Sequence, residues 1–320
     1  MTSDEPSQEM PHRGRRDRVV DFCLIASIAF FCVQILSFGY GRDQGIYALV
    51  ARSVLEGDMP YRDVFDFKPP GIYLIYGLSR AIFGRAWWGI RLLEVAGLVA
   101  TIIGMRAIAD RLWQKPRVGL VAGALTALVH AQLEFWHTAQ PETFGGMLTV
   151  AGIWLAVRHD QLRRRNLLLI GIVFGVAGLL KPPLSGAGAV IAGFIAWRRA
   201  RPLAGARPRF GAAAPPLLWV LLGGVLPFAI CLSWFYARGA LADLYEIFAI
   251  YTPHYTALAW KDSTLLGLLY HAFSQWLLNF CSLITVGLLL GLASWRHCYA
   301  RPGVALICAV IAMQLLGVAL

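Results

Sequence analysis

Charge is scarce in this chain, and acidic charge is scarcest: 15% of its 320 residues are charged, with 18 Asp and Glu against 29 Lys and Arg. Together with 58% hydrophobic residues and a mean hydropathy of +0.60, this excludes a soluble globular domain and leaves a polytopic, all-α membrane protein. There is no C-x-x-C spacing. The six cysteines, Cys23, Cys32, Cys231, Cys281, Cys298 and Cys308, lie in or beside apolar runs, so neither a disulfide framework nor a thiolate metal site is expected. Walker A, G-x-S-x-G and H-E-x-x-H motifs are also missing, as is an internal repeat of the kind transporters use. No cleavable export signal is expected either, because residues 1–18 are polar and the first apolar run is too long for a signal h-region.

What is present is a series of apolar runs near 19–38, 88–110, 118–136, 143–157, 167–180, 184–197, 214–236, 264–292 and 303–320, about nine transmembrane helices. The first reads as a signal anchor behind a cytoplasmic, disordered tail of residues 1–18. With that tail inside, Arg106 and the clusters at 13–18, 111–117, 158–165, 198–209 and 296–301 all fall on the cytoplasmic side. That side then holds 19 of the 29 basic residues and 7 of the 18 acids. The outer side keeps 10 basic and 11 acidic residues, so the net charge of +11 is the positive-inside bias and implies no nucleic-acid partner.

This topology requires that Gly71 to Gly84 lie along the outer surface. Its 14 residues give about 21 Å of helix against a hydrocarbon core of about 30 Å, and Arg80 interrupts it. An outer loop then runs from 39 to 87. The short runs 167–180 and 184–197 meet at Lys181-Pro182-Pro183, a turn expected below the outer surface. A lysine there either lines an outward-opening depression or snorkels to the interface. One long kinked helix is the competing reading, but it would export the basic loop after Arg198. The chain stops at Leu320 within an apolar run and reads as a truncated or short form.

The long first loop gathers the chemistry. Asp43 opens an amphipathic stretch with Ile46, Val50 and Val54 on one face, Tyr47 one turn on, and Gly57 at its end. It reads as a general base at the interface or as a helix N-cap. Lys68 precedes Pro69-Pro70-Gly71, so it is a fixed cation at a helix N-terminus, suited to phosphate, or a partner of Asp63 or Asp66. Arg91, one turn before Glu94, is a second phosphate ligand or that acid's partner. In the second outer loop, HTAQPE, Glu142 orients an acceptor, binds a metal, or is an ordinary first-turn acid. Tyr47, Tyr61, Asp66 and His254 are candidates for acceptor or sugar binding. The aromatic stretch 243–260, with Tyr251 and Tyr255, suits an interfacial helix over the cavity.

In order and in motif these features resemble the integral-membrane glycosyltransferases of the GT-C fold, specifically glycosyltransferase family 39, related to protein O-mannosyltransferases and lipid A aminoarabinose transferases. The resemblance covers roughly residues 19–260. It rests on an acid after the first span, the string G-x-x-P-Y-x-D-x-F-x-x-K-P-P-G-x-Y from Gly57 to Tyr73, an Arg opening the second span, an acidic second outer loop, and G-L-x-K at Lys181. It implies a GT-C domain over 19–320 that transfers a sugar, with inversion, from a polyprenyl-phosphate donor to a glycan, lipid or protein acceptor. The place would be the outer face of a bacterial inner membrane. Asp43 matches the catalytic acid, and Lys68, Arg91 and Lys181 match or neighbour the phosphate-binding cations. One departure is Asp43-Gln44 where the family has Asp-Glu, so a divalent cation, if used, would rest on Asp43 and Glu142. A transporter or flippase for a lipid-linked sugar or anion, and an inactive subunit of the same fold, are the alternatives.

Overall fold

The computed structural model describes residues 14–159, 163–200, 211, 214–260 and 302–319, with 264, 266–267, 269–271, 273–274 and 287 in addition. Helices account for nearly all of this. Among the described residues, the sole extended pairing is a bridge between Pro60 and Val64. The helices are α1 (Arg15–Leu36), α2 (Arg42–Glu56), α3 (Gly71–Phe83), α4 (Gly89–Trp113), α5 (Pro116–Gln132), α6 (Glu134–His137), α7 (Pro141–Val157), α8 (Arg164–Leu180), α9 (Gly186–Ala200), α10 (Ala214–Ala237), α11 (Leu241–Tyr245), α12 (Thr252–Trp260) and α13 (Pro302–Ala319). A π-helical segment, Glu246–Tyr251, joins α11 to α12, so the expected aromatic stretch is helical.

Eight of the nine expected spans coincide with helices: α1, α4, α5, α7, α8, α9, α10 and α13. The ninth, 264–292, lies almost wholly outside the described residues. By length and apolar character α1, α4 and α10 are each sufficient to cross a bilayer. Large apolar side chains such as Phe22, Phe30 and Val33 on α1 and Leu221 and Ile230 on α10 point out of the protein. In water that exposure would be costly; in lipid it is the expected surface.

Local chemistry explains the helix limits. Gly57, at φ +108°, closes α2 in the left-handed conformation that suits glycine. Pro116 and Pro141 stand in the first turns of α5 and α7, where a missing N–H costs nothing. α8 stops at Lys181 because Pro182 cannot continue it, and a 3-10 turn, Pro182–Ser185, leads into α9.

Three apolar cores result among the described residues. One joins α7, α8, α9, α10 and α13 around Phe174, Ile170 and Ile191. Another joins α1, α4 and α5 around Ile35, Leu98 and Ile102. The third lies under the first loop and is built from aromatic hydroxyl-bearing residues, Tyr47, Tyr61, Tyr73 and Tyr76, packed with Met59 and Phe235. Each buried phenol needs a hydrogen-bond partner, so this core fixes polar loops as well as burying area. The segments 39–70 and 133–140 meet over it.

Candidate active site

Asp43 and Arg42 from the start of α2, Lys68 from the first loop, and Trp136, His137, Gln140 and Glu142 from the second loop line a single cavity of about 740 Å3. Lys181 reaches it through Glu142, whose Oε1 accepts a hydrogen bond from the lysine Nζ at 2.7 Å. Asp43, Lys68, Glu142 and Lys181, four of the residues singled out from sequence, are thus brought together from four separate segments.

Asp43 sits inside the first turn of α2, whose N-cap is Gly41, and its carboxylate makes no capping bond. It is about two-fifths exposed and only 3.8 Å from the Arg42 guanidinium, which is itself mostly exposed. An exposed pair of this kind contributes about 0–1 kcal/mol, so Arg42 binds the carboxylate only weakly. Arg42, unremarked in the sequence, supplies the cavity with a guanidinium.

Lys68 is held through its backbone. Its carbonyl oxygen accepts from Tyr61 Oη at 2.7 Å and lies 3.0 Å from Tyr73 Oη. Tyr73 Oη is also 2.9 Å from Asp66 Oδ2, while Asp66 Oδ1 accepts from the Phe67 amide. Asp66 is buried, and that burial raises its carboxyl above the usual range despite the two bonds. Asp63 instead accepts from the Met59 amide and the Arg62 guanidinium, which holds its carboxyl below the usual range. Neither aspartate forms an ion pair with Lys68. The ammonium lies 5.1 Å from the Phe67 ring centroid and is turned to the cavity.

α3 begins where α8 ends. A Cβ on Gly71 would sit 2.6 Å from the Leu179 carbonyl oxygen, so only glycine lets the Lys68-Pro69-Pro70 turn rest on the backbone just before Lys181. Behind both turns lies an apolar groove of about 580 Å3, walled by Pro69, Pro70, Pro182, Phe228, Leu232 and Phe248.

The second loop is held from beneath. Gln44 is fully buried, and its Nε2 donates to the carbonyls of Phe135 and Thr138, the latter at 2.7 Å. Tyr47 Oη donates to Gln140 Oε1 at 2.8 Å and Tyr76 Oη to the Ala139 carbonyl at 3.0 Å. Burial, with Asp43 nearby, raises the Tyr47 phenol, so it stays a neutral donor. These ties hold Glu134 and Ala139 at φ +54° and +51°, a region that costs most side chains energy and persists where the surroundings over-determine it.

Arg91 is the partner of Glu94, the second of the two readings its spacing allowed. It is fully buried and does not line the cavity. Its guanidinium donates to Glu94 Oε2 at 2.8 Å, Thr138 Oγ1 at 2.9 Å, the Gly39 carbonyl at 2.7 Å and the Phe38 carbonyl at 3.3 Å. Glu94, equally buried, stands 2.9 Å from His130 Nε2 and accepts from the Ala139 amide. The pair fastens the end of α1 and the second loop to α4, and four of the five guanidinium N–H groups are taken by protein acceptors. Tyr47, Tyr61 and Asp66 likewise act as supports behind the cavity wall. His254 is exposed on α12 and is not among the residues that line the cavity. Its neighbours Tyr251 and Tyr255 pack on Phe65 and Phe67 of the first loop.

For a metal, Asp43 and Glu142 are the carboxylates on the cavity wall, and Glu142 already holds Lys181. Among the described residues no three His, Cys, Asp or Glu side chains gather as a metal cluster. Gln44 points its amide into the second loop, so the position beside Asp43 offers the cavity no donor.

Comparison with known proteins places the chain in a family. The undecaprenyl phosphate-alpha-4-amino-4-deoxy-L-arabinose arabinosyl transferase of Pseudomonas aeruginosa (strain UCBPP-PA14) is 27% identical over 265 residues, 75% of this chain and 44% of that protein. The protein of the same description from Pseudomonas paraeruginosa (strain DSM 24068 / PA7) is 28% identical over 265 residues, with the same coverage. That from Pseudomonas savastanoi pv. phaseolicola is 27% identical over 181 residues, 52% of this chain and 30% of its own length. The chain thus spans less than half the length of these relatives. No solved structure matches it. The family described as dolichyl-phosphate-mannose-protein mannosyltransferase matches residues 67–234, just over half the chain and including Lys68, Glu142 and Lys181, and the chain belongs to that family.

Proposed function

We propose that this integral membrane protein transfers a sugar from a polyprenyl-phosphate carrier to an acceptor at the outer face of a bacterial inner membrane, with inversion at the anomeric carbon. The observation that carries this reading is the single cavity shared by the carboxylate of Asp43 and the cations Arg42 and Lys68, with Lys181 at its edge. The relatives' names, which specify undecaprenyl phosphate linked to a sugar, support the donor class.

In this reading the acceptor's O–H or N–H gives its proton to Asp43 as the heteroatom bonds to the anomeric carbon. The bond from that carbon to the phosphate oxygen breaks, and the electron pair leaves with the polyprenyl phosphate. The enzyme need only take one proton and stabilise one departing phosphate, because the donor is already activated. Lys68 and Arg42 face that phosphate from the cavity wall. Lys181 joins them by leaving Glu142, a half-exposed pair whose loss costs about 1 kcal/mol or less. The groove behind the two proline turns takes the first isoprene units, whose withdrawal from lipid would otherwise cost about 0.8 kcal/mol per CH2. No step is assigned to a metal.

The test is a transfer assay on purified full chain with a radiolabelled polyprenyl-phosphate sugar, comparing wild type with Asp43→Asn. Loss of at least a hundredfold in kcat with donor KM unchanged supports Asp43 as the base, general-base contributions being typically 10²–10⁴-fold. Undiminished turnover in the variant would overturn it.

A further inference from the structure

At the other end of the bundle, the N-terminal turns of α1 and the junction of α4 with α5 enclose a second cavity, of about 790 Å3. α1 is 22 residues long, about 33 Å, so this cavity lies roughly one hydrocarbon thickness from Asp43. Its polar wall is Asp17, Asp21, Arg106, Lys115 and Arg117; its apolar wall includes Ile25, Val118 and Val121.

These charges divide into two groups. Arg117 is committed: its guanidinium donates to Asp21 Oδ1 at 2.7 Å and to Asp17 Oδ1 at 3.0 Å, which fastens α5 to α1. Arg106 and Lys115 are exposed and hold no ion pair among the described residues. They are brought to the same cavity by Gly119, which has no Cβ to keep α5 off the α4 backbone at Met105 and Arg106. The first turn of α5, with Pro116 at its start, also brings the positive end of its helix dipole to the wall of this space. Two uncommitted cations and a helix N-terminus at the head of an apolar groove match an amphiphile with an anionic head. A soluble anion would have no use for Ile25, Val118 and Val121.

We infer that this cavity binds the headgroup phosphate of an anionic phospholipid of the leaflet opposite the catalytic cavity, through Arg106 and Lys115, with the acyl chains along α1 and α5. The inference rests on membrane embedding alone and holds whatever sugar chemistry the other end performs.

Native mass spectrometry of the purified full chain, titrated with phosphatidylglycerol or phosphatidylcholine, tests it. Wild type is expected to bind phosphatidylglycerol at least tenfold more tightly. Arg106→Gln with Lys115→Gln should weaken that binding roughly thirtyfold, at about 1 kcal/mol for each basic residue near the lipid surface. Arg163→Gln with Arg165→Gln, which removes exposed charge from the start of α8, should leave it within threefold. Should the double variant not fold, either single variant is expected to lose about fivefold. Equal affinity for the two lipids, an equal loss in the α8 variant, or displacement of the lipid by millimolar glycerol phosphate would each overturn the assignment.

Discussion

Gln44 offers the sharpest test of how the site is held. Its amide donates to two carbonyls of the second loop, and its own Oε1 is buried without a partner, so the environment asks for a donor and offers none in return. Replacing it by Glu, the residue type the family resemblance leads one to expect here, reverses that demand. The protonated carboxyl of Gln44→Glu keeps one O–H donor and orphans one carbonyl, at about 1–3 kcal/mol. Ionised, the same carboxyl would face those carbonyls with a negative charge and no partner. If burial raises its pKa by about 3 units, the ionised form costs a further ~4 kcal/mol. The sign follows from linkage: the folded carboxyl would bind its proton more tightly than the unfolded one. Stability relative to wild type should therefore be best below about pH 4.3, fall as pH rises through the folded pKa, and then level off. The assay is thermal unfolding of Gln44→Glu, Gln44→Leu and wild type in one detergent at pH 4, 5, 6, 7 and 8. The Leu variant, which loses donors without gaining charge, should show a constant deficit. The Glu variant's deficit should grow by on the order of 8 °C across the series. A Glu deficit that stays flat with pH, or no deficit at all, would refute the reasoning and point to a cation beside position 44.

Other expectations follow from the same geometry. Arg91→Met should destabilise the protein by about 3–5 kcal/mol, because Glu94 is left charged and buried; Arg91→Met with Glu94→Leu should recover most of the loss, read as the shift in unfolding midpoint. Surviving Arg91→Met enzyme should keep its donor KM, whereas a phosphate ligand would change it. Asp66→Asn should flatten the pH dependence of stability, because burial holds the wild-type carboxyl above its unfolded value. The wild type should lose ground to this variant as pH rises from about 3.8 through the folded pKa, in parallel melting curves. Tyr61→Phe with Tyr73→Phe should release the Lys68 carbonyl at a cost of about 1–3 kcal/mol and raise donor KM, in the assay used for Asp43→Asn.

The helices were legible from the sequence because apolar runs of about 15–25 residues leave little choice of structure, and because Gly57, Pro116, Pro141 and Pro182 mark their limits. Lys68 and Lys181 could be found because each precedes two prolines, a local arrangement whose geometry needs no partner. Arg91 was harder. An Arg followed by Glu three residues later has the same pattern on a wetted surface as in a sealed core, and its further partners Thr138 and Gly39 lie 47 and 52 residues away. Gln44 was read as a missing acid for a similar reason, since the carbonyls it serves are 91 and 94 residues distant. Arg42 was hidden by ordinariness: one basic residue at a membrane surface predicts nothing until a cavity wall forms around it. Tyr73 and Tyr76 passed as part of the Gly71–Gly84 surface segment, though a tyrosine-rich buried core is itself a sign of polar backbone that must be tied down.

The twin Lys-Pro-Pro turns carry a consequence for how a substrate arrives. Prolyl nitrogen bears no hydrogen, so the rims formed by Pro69, Pro70 and Pro182 can border hydrocarbon with no unsatisfied N–H at those three positions. On the proposed function, a long lipid-linked donor could therefore slide laterally between them from the bilayer, its head reaching the lysines while its tail never leaves oil.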